Sequence, residues 1–118
     1  MPPKSVLPLA AAISALEAAG EPTRLRLLAL LAEAELTVTE LTAILGQSQP
    51  RVSRHLKLLV EATLIDRHRE GAWAFFRIAD RGPSARLVSD IISRVDAGGT
   101  VLLSDRERLQ AVRAERAR

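Results

Sequence analysis

The sequence contains no cysteine and only two histidines, His55 and His68. Without thiols the chain cannot form disulfides or zinc–thiolate sites, and it has no nucleophilic or redox-active cysteine. Two histidines are too few for a three-histidine catalytic metal centre. We therefore expect no metal site and no cofactor.

Long apolar runs are also missing. The longest candidate, residues 25–36, is interrupted by Arg26, Glu33 and Glu35 and falls short of the roughly 18 apolar residues that a membrane span requires. Residues 6–19 have some features of a secretory signal, but an apolar stripe at helical spacing makes an amphipathic helix the simpler interpretation. We expect a cytoplasmic protein without membrane association.

Positive charge is supplied almost entirely by arginine, and it is distributed unevenly. Lysine contributes 2 of the 17 basic residues and arginine the remainder, and the formal net charge is +3. Residues 1–47 are acidic overall, whereas residues 48–81 and 82–118 are basic. A basic middle segment predicts an anionic partner, although a solvated charged surface would have the same composition.

Apolar residues recur at helical spacing in six segments, and Gly46 is a suitable left-handed helix exit. Thr39 and Ser48 are candidate N-caps for the third and fourth helices, and Ser104 with Glu107 forms a candidate capping box for the last. The predicted elements are helices at 8–19, 22–34, 39–45, 49–62, 84–95 and from 104 onwards, and a β-hairpin at 64–69 and 73–78.

The hairpin is predicted by a change from helical spacing to alternation, with a tight turn at Glu70 and Gly71. All three aromatic residues of the chain lie in it. We expect Phe76 and Ile78 to face the core and Trp73 to be partly exposed. Helices followed by a hairpin predict a mainly α fold with one β-hairpin, the winged helix-turn-helix, in the order α1-α2-α3-α4-β-β-α5-α6.

The fourth helix has the two faces that a recognition helix needs. Val52, Leu56, Leu59 and Val60 form its predicted inner stripe, so the polar residues between them face outwards. Gln can bond an adenine edge and Arg a guanine edge in the major groove. The residues expected to contact bases are Gln49, Arg51, Ser53 and Arg54. The residues expected to contact phosphates, in part from the wing at 66–72, are Ser48, His55, Lys57, Arg67, His68, Arg69 and Arg24.

For two of these predicted phosphate contacts, the sequence is also compatible with a purely structural role. His55 borders the inner stripe and could bond a backbone group instead. Arg24 could equally pair with Glu21 or Glu33.

Three segments make the sequence similar to a known family. EPTRLRLL at 21–28, QSQPRVSRHLKLL at 47–59 and REG at 69–71 resemble the ArsR/SmtB family of transcriptional regulators, over roughly residues 8–95. The resemblance implies a homodimer that binds a pseudo-palindromic operator and represses transcription. It also implies a dimer interface formed by the first and last helices. The residues expected there are Leu9, Ile13, Leu16, Leu87, Ile91 and Val95.

The chain departs from the family at its metal sites. Thr37, Thr39 and Thr42 stand where the resemblance would place thiolates, and threonine hydroxyls do not replace thiolates for a soft metal. Asp90 matches the start of the family's other site, but no histidine follows residue 68. We therefore expect an effector that is neither a thiolate-bound nor a histidine-bound metal; its identity is unknown.

We expect residues 1–100 to form the DNA-binding and dimerisation domain. Residues 101–118 form an Arg/Glu-rich helix with little apolar surface, which we expect to fray or to lead into a further domain. The alternative function is a winged-helix protein-interaction module without specific DNA binding. An enzyme is not expected, because the sequence has no recognisable catalytic motif.

Overall fold

The computed structural model describes residues 6–118, which form six helices and one antiparallel β-hairpin. Lys4, which precedes the first predicted helix, lies outside the described residues. The elements are α1 (Leu9–Ala19), α2 (Pro22–Glu33), α3 (Val38–Leu45), α4 (Gln49–Glu61), β1 (Ile65–Glu70), β2 (Trp73–Ile78), α5 (Pro83–Ser93) and α6 (Thr100–Arg116). The predicted fold class and element order are confirmed. Among the described residues no helix is long and apolar enough to cross a membrane.

Helices α3 and α4 form the helix-turn-helix, and local signals set most of its boundaries. Gly46 ends α3 with a left-handed φ of 66°, and Ser48 caps α4 by accepting a hydrogen bond from the backbone N–H of Arg51. The predicted cap at Thr39 is wrong. Thr37 caps α3 instead, because its hydroxyl and the Glu40 carboxylate accept from each other's backbone N–H in a capping box.

The core lies between α2 and the helix-turn-helix. Leu27 and Leu28 of α2 are fully buried, as are Leu56 and Leu59 of α4. The predicted inward position of Val60 is wrong: its side chain is exposed, because it lies at the edge of the apolar stripe and lines the groove between α4 and β2. Burial of one face of α4 fixes the direction in which the opposite face points.

The hairpin is fixed by backbone pairing to the segment that connects α2 and α3. β1 and β2 pair from Ile65 with Ile78 to Glu70 with Trp73. Leu36, between α2 and α3, exchanges two backbone hydrogen bonds with Phe76, at 3.1 and 2.8 Å. As predicted, Phe76 and Ile78 pack against the core and Trp73 is exposed. The wing therefore has a defined position beside α4.

Helix α6 packs against α2 and α3 and belongs to the same core. Its predicted start at the capping box of Ser104 and Glu107 is wrong, because the helix begins one turn earlier, at Thr100, after Gly99 as N-cap. Leu109 is fully buried, and Asp105 is only 2% exposed. The low apolar content of this helix therefore does not leave it detached from the domain.

Candidate nucleic-acid interface

The exposed side of α4 carries the predicted base-contacting residues. Gln49, Arg51, Ser53 and Arg54 are all exposed, and so is Lys57 one turn later. The buried stripe lies on the opposite side of the helix. The helix thus presents amide, hydroxyl and guanidinium groups outwards and is locked from behind.

The amino end of α4 also favours an anion. Its first turn contains no acidic residue, so the positive end of the helix dipole is not neutralised there. Ser48, the N-cap, is exposed at this end. The N–H groups of Arg51 and Val52 are bonded to Ser48, and Pro50 has none, so a phosphate next to Ser48 would meet the backbone N–H of Gln49.

A groove separates α4 from the wing. Its volume is about 440 Å³, and its lining includes Gln49, Ser53 and Lys57 from α4 and Arg67 from β1. Two cations thus face the same groove from opposite walls. Arg69, two residues after Arg67, is exposed as well, and alternation along the strand puts it on the same face.

His68 has a different environment from the two arginines that flank it. Its Nε2 lies 3.1 Å from Glu35 Oε1, and its ring stacks on Phe75 with the centroids 5.8 Å apart. Because successive side chains of a strand point to opposite faces, His68 points away from the face of Arg67 and Arg69. These contacts favour a structural role for His68, and its predicted phosphate contact stays a prediction.

Arg24 and His55 also make contacts with other residues of the chain. Arg24 donates from Nε to the carbonyl of Ala18 at 2.6 Å and from Nη1 to His55 Nδ1 at 3.1 Å. Glu21 lies 3.1 Å from the same Nδ1 and 3.6 Å from Arg24. Burial lowers the pKa of His55, and the opposite effect of Glu21 does not reverse this shift, to which the neighbouring arginines add. The structural alternative for both residues is the one that their contacts support.

Gln47 is a further residue of this surface; it begins the family-like segment at 47–59, but no periodicity in the sequence predicts a role for it. Its side chain bonds Thr23 of α2 on one side and Arg51 of α4 on the other, at 3.1 and 3.0 Å. It therefore connects the amino end of α2 to the exposed face of the recognition helix.

The region of the missing thiolate site is occupied by backbone-directed hydrogen bonds. Thr37 caps α3, and Thr42 donates to the carbonyl of Val38 at 2.7 Å. Within residues 6–118 no group of three or more metal-ligating side chains is arranged to hold an ion.

The predicted dimer surface is partly exposed in the single chain. On α1, Leu9, Ile13 and Leu16 are 78%, 45% and 50% exposed. Helix α1 packs against α5, where Leu87 and Ile91 are half-buried. Val95, just beyond the end of α5, is also half-buried.

Comparison with known proteins identifies the family. Residues 21–67 match the model described as "bacterial regulatory protein, arsR family". An uncharacterised helix-turn-helix transcriptional regulator of Methanocaldococcus jannaschii is 38% identical over 81 residues, covering 68% of this chain and 85% of the relative. The arsenical resistance operon repressor of Escherichia coli is 43% identical over 63 residues, and the match covers 52% of this chain and 54% of that repressor.

A solved structure supports the same assignment. The homodimeric winged helix-turn-helix DNA-binding domain of a possible ArsR-family regulator from Mycobacterium bovis aligns with a TM-score of 0.65 and 28% identity, covering 76% of this chain and 82% of that domain. The sequence similarity, the fold and the exposed polar face of α4 all indicate the same family. The chain belongs to the ArsR family and is a winged helix-turn-helix DNA-binding transcriptional regulator.

Proposed function

We propose that the protein is a homodimeric repressor that binds a pseudo-palindromic operator. The amino-terminal half of α4 enters the major groove, and the wing follows the adjacent phosphates. The observation that carries this proposal is the exposed, acid-free amino end of α4, which is held in place by a fully buried opposite face.

The polar side chains of this surface fall into two sets, proposed base contacts and proposed phosphate contacts, according to their position and chemistry. Arginine forks match guanine O6 and N7, and the glutamine amide matches adenine N6 and N7. Hydroxyl and ammonium groups at the edges suit phosphate oxygens, which take at least half of the hydrogen bonds in such interfaces. The proposed base contacts are Gln49, Arg51, Ser53 and Arg54. The proposed phosphate contacts are Ser48, Lys57, Arg67 and Arg69.

Dimerisation is supported by the apolar surface of α1 and α5. Three large apolar side chains of α1 are at least 45% exposed. The Mycobacterium bovis relative is described as homodimeric. A second copy of this chain would bury these side chains and set the spacing between two recognition helices.

The effector is proposed to differ from that of the arsenic-responsive relatives. The Escherichia coli relative is named for arsenical resistance, whereas this chain has no cysteine. Two of its three threonines at the matching positions are engaged, Thr37 in helix capping and Thr42 in a backbone contact. A soft metal would find no thiolate here, so release from DNA requires another class of effector.

Selection of bound sequences from a random duplex pool tests the function. The purified protein is expected to enrich a two-fold symmetric sequence with half-sites about one helical turn apart. Binding to that sequence should weaken steeply with salt, because phosphate contacts release counterions. Arg118→Ala, which alters an exposed arginine at the chain end, is the matched control and should enrich the same sequence.

Two results would contradict the proposal. Enrichment of no sequence, with DNA binding absent or weak at low salt, would favour the protein-interaction module. Enrichment of an asymmetric single site by a monomer would contradict the dimeric arrangement.

A further inference from the structure

We propose that Gln47 is a positioning residue, which holds the Arg51 guanidinium in the orientation that reads a base and thereby contributes to sequence preference. The proposal rests on the base contact proposed for Arg51. It assigns a role to a side chain that lies outside the recognition helix, one residue before its cap.

The geometry is a short relay from the core to the surface. Thr23, in the first turn of α2, is buried. Its Oγ1 lies 3.1 Å from Gln47 Nε2, and Gln47 Oε1 lies 3.0 Å from Arg51 Nε. One end of the relay is therefore fixed by packing, and the other end is an exposed cation.

The chemistry of the groups sets the direction of each bond. Arg51 Nε can only donate, so the atom of Gln47 that faces it must be the amide oxygen. The amide NH₂ group then faces Thr23, whose hydroxyl oxygen accepts. The Gln47 amide thus has one orientation that satisfies both neighbours, and a rotated amide would place a donor against a donor.

This arrangement determines which part of Arg51 remains free. With Nε bonded to Gln47, the two terminal nitrogens stay available as an end-on fork. Within residues 6–118 Arg51 forms no ion pair with a carboxylate, so its charge is not neutralised. A fork that is oriented before DNA arrives loses less rotamer freedom on binding.

Arg54 provides a contrast within the same helix. It is exposed like Arg51, yet no side-chain hydrogen bond holds its guanidinium among the described residues. The two arginines should therefore respond differently to a change at Gln47: the contribution of Arg51 should fall and that of Arg54 should stay.

A double-mutant cycle in DNA binding tests the coupling. The variants are Gln47→Ala, Arg51→Ala and both together, measured on the selected duplex and on a duplex altered at the base pair that Arg51→Ala ceases to prefer. Gln47→Ala is expected to lower the preference ratio about two- to tenfold, the range of one hydrogen bond. In the Arg51→Ala background it should have no further effect. Gln110→Ala, an exposed glutamine of α6, is the control and should change nothing.

The outcomes separate this inference from the proposed function. If Arg51→Ala leaves base preference unchanged at every position, the base contact itself is wrong and the inference fails with it. If Arg51→Ala lowers the preference but Gln47→Ala does not, only the positioning role is overturned. Additive losses, or an equal loss on all duplexes together with a lower melting temperature, would show that Gln47 acts on helix stability instead.

A measurement without DNA checks the same relay. Nitrogen-15 relaxation of the Arg51 Nε–Hε group reports its order on the ps–ns timescale. The order parameter should fall in Gln47→Ala and in Thr23→Val, which removes the acceptor at similar volume, and should be unchanged in Gln110→Ala. An unchanged value in Gln47→Ala would overturn the inference.

Discussion

The first and last helices of the chain are held in opposite ways. Helix α1 is the more apolar of the two, yet three of its large apolar side chains, Leu9, Ile13 and Leu16, are exposed. Helix α6 is rich in charge, yet it is anchored to three other elements of the fold. The apolar content of a helix alone therefore does not determine whether it is packed into the fold of the single chain.

The anchors of α6 are mostly arginines. Arg26 of α2 makes a two-bond pair with Asp105, both at 2.9 Å. Arg108 donates to the carbonyl of Ile44 at 3.1 Å, and Arg113 donates to the carbonyl of Glu33 at 2.6 Å. These carbonyls lie in the last turns of α3 and α2, where the helix itself supplies no donor. Arginine side chains thus satisfy two helix ends and attach α6 to both.

Arg116 extends the attachment to the wing. It pairs with the Glu40 carboxylate, donates to the carbonyl of Glu35 at 2.9 Å, and lies 5.4 Å from the centre of the Phe75 ring. Helix α6 is therefore part of the single-chain fold, whereas the outer face of α1 is exposed in the single chain.

The largest expected effect is on stability, at the pair formed by Arg26 and the buried Asp105. Asp105→Ala should lower the free energy of unfolding by about 2–4 kcal/mol, because it leaves the Arg26 guanidinium without its partner. Urea denaturation measures the change, with Glu107→Ala, an exposed acid of the same helix, as the control. A loss below about 0.5 kcal/mol would mean that α6 is not anchored through this pair.

A smaller effect is expected at α1, and on association rather than folding. Ile13→Glu would place a charge in the proposed dimer interface and should raise the dimer dissociation constant roughly 100-fold. The helical circular dichroism signal should be unchanged. Sedimentation velocity across a concentration series measures the shift, and Glu17→Gln on the same helix is the control. An unchanged dimer would place the interface elsewhere.

The smallest effect is expected at Arg116, and it should depend on pH. Burial raises the pKa of Glu40, but hydrogen bonds from Arg116 and from the Thr37 backbone outweigh it, so the pKa lies below its ordinary value of 4.5. The pair therefore stabilises the folded state above that pH, and the contribution is lost as the pH falls through the folded pKa.

Arg116→Ala should accordingly cost about 0.5–1 kcal/mol at neutral pH, as expected for a partly exposed pair. The difference from the parent protein should shrink as the pH falls below 4.5. Denaturation at several pH values, with Arg118→Ala as the control, measures this. If this stability difference does not change with pH, the stabilisation by Arg116 does not come from its pair with Glu40.

Much of the fold could be predicted because its signals are local. The apolar spacing of α4, the glycine after α3 and the alternation around Gly71 each depend on a few neighbouring residues. The capping box at Thr37 and Glu40 is equally predictable from the sequence, since these residues have the required spacing. The predicted cap at Thr39 lies two residues after the observed cap at Thr37.

Contacts between residues that are distant in the sequence could not be predicted. The anchoring of α6 depends on pairs such as Arg26 with Asp105, which are far apart in the sequence. The fold places Glu21 beside His55 and Glu35 beside His68, and the sequence alone does not predict either contact. Gln47 acquired its role only when α2 brought Thr23 to it. Composition and spacing cannot reveal such partners.

The central claim is that the exposed face of α4 reads bases and the wing holds phosphates. Binding of Arg54→Ala and Arg69→Ala to the selected duplex and to an unrelated duplex tests it directly. Arg54→Ala should cost about 1–3 kcal/mol on the selected duplex and little on the unrelated one, whereas Arg69→Ala should weaken both similarly. If both variants bind the selected duplex as tightly as the parent protein, the assigned face is wrong.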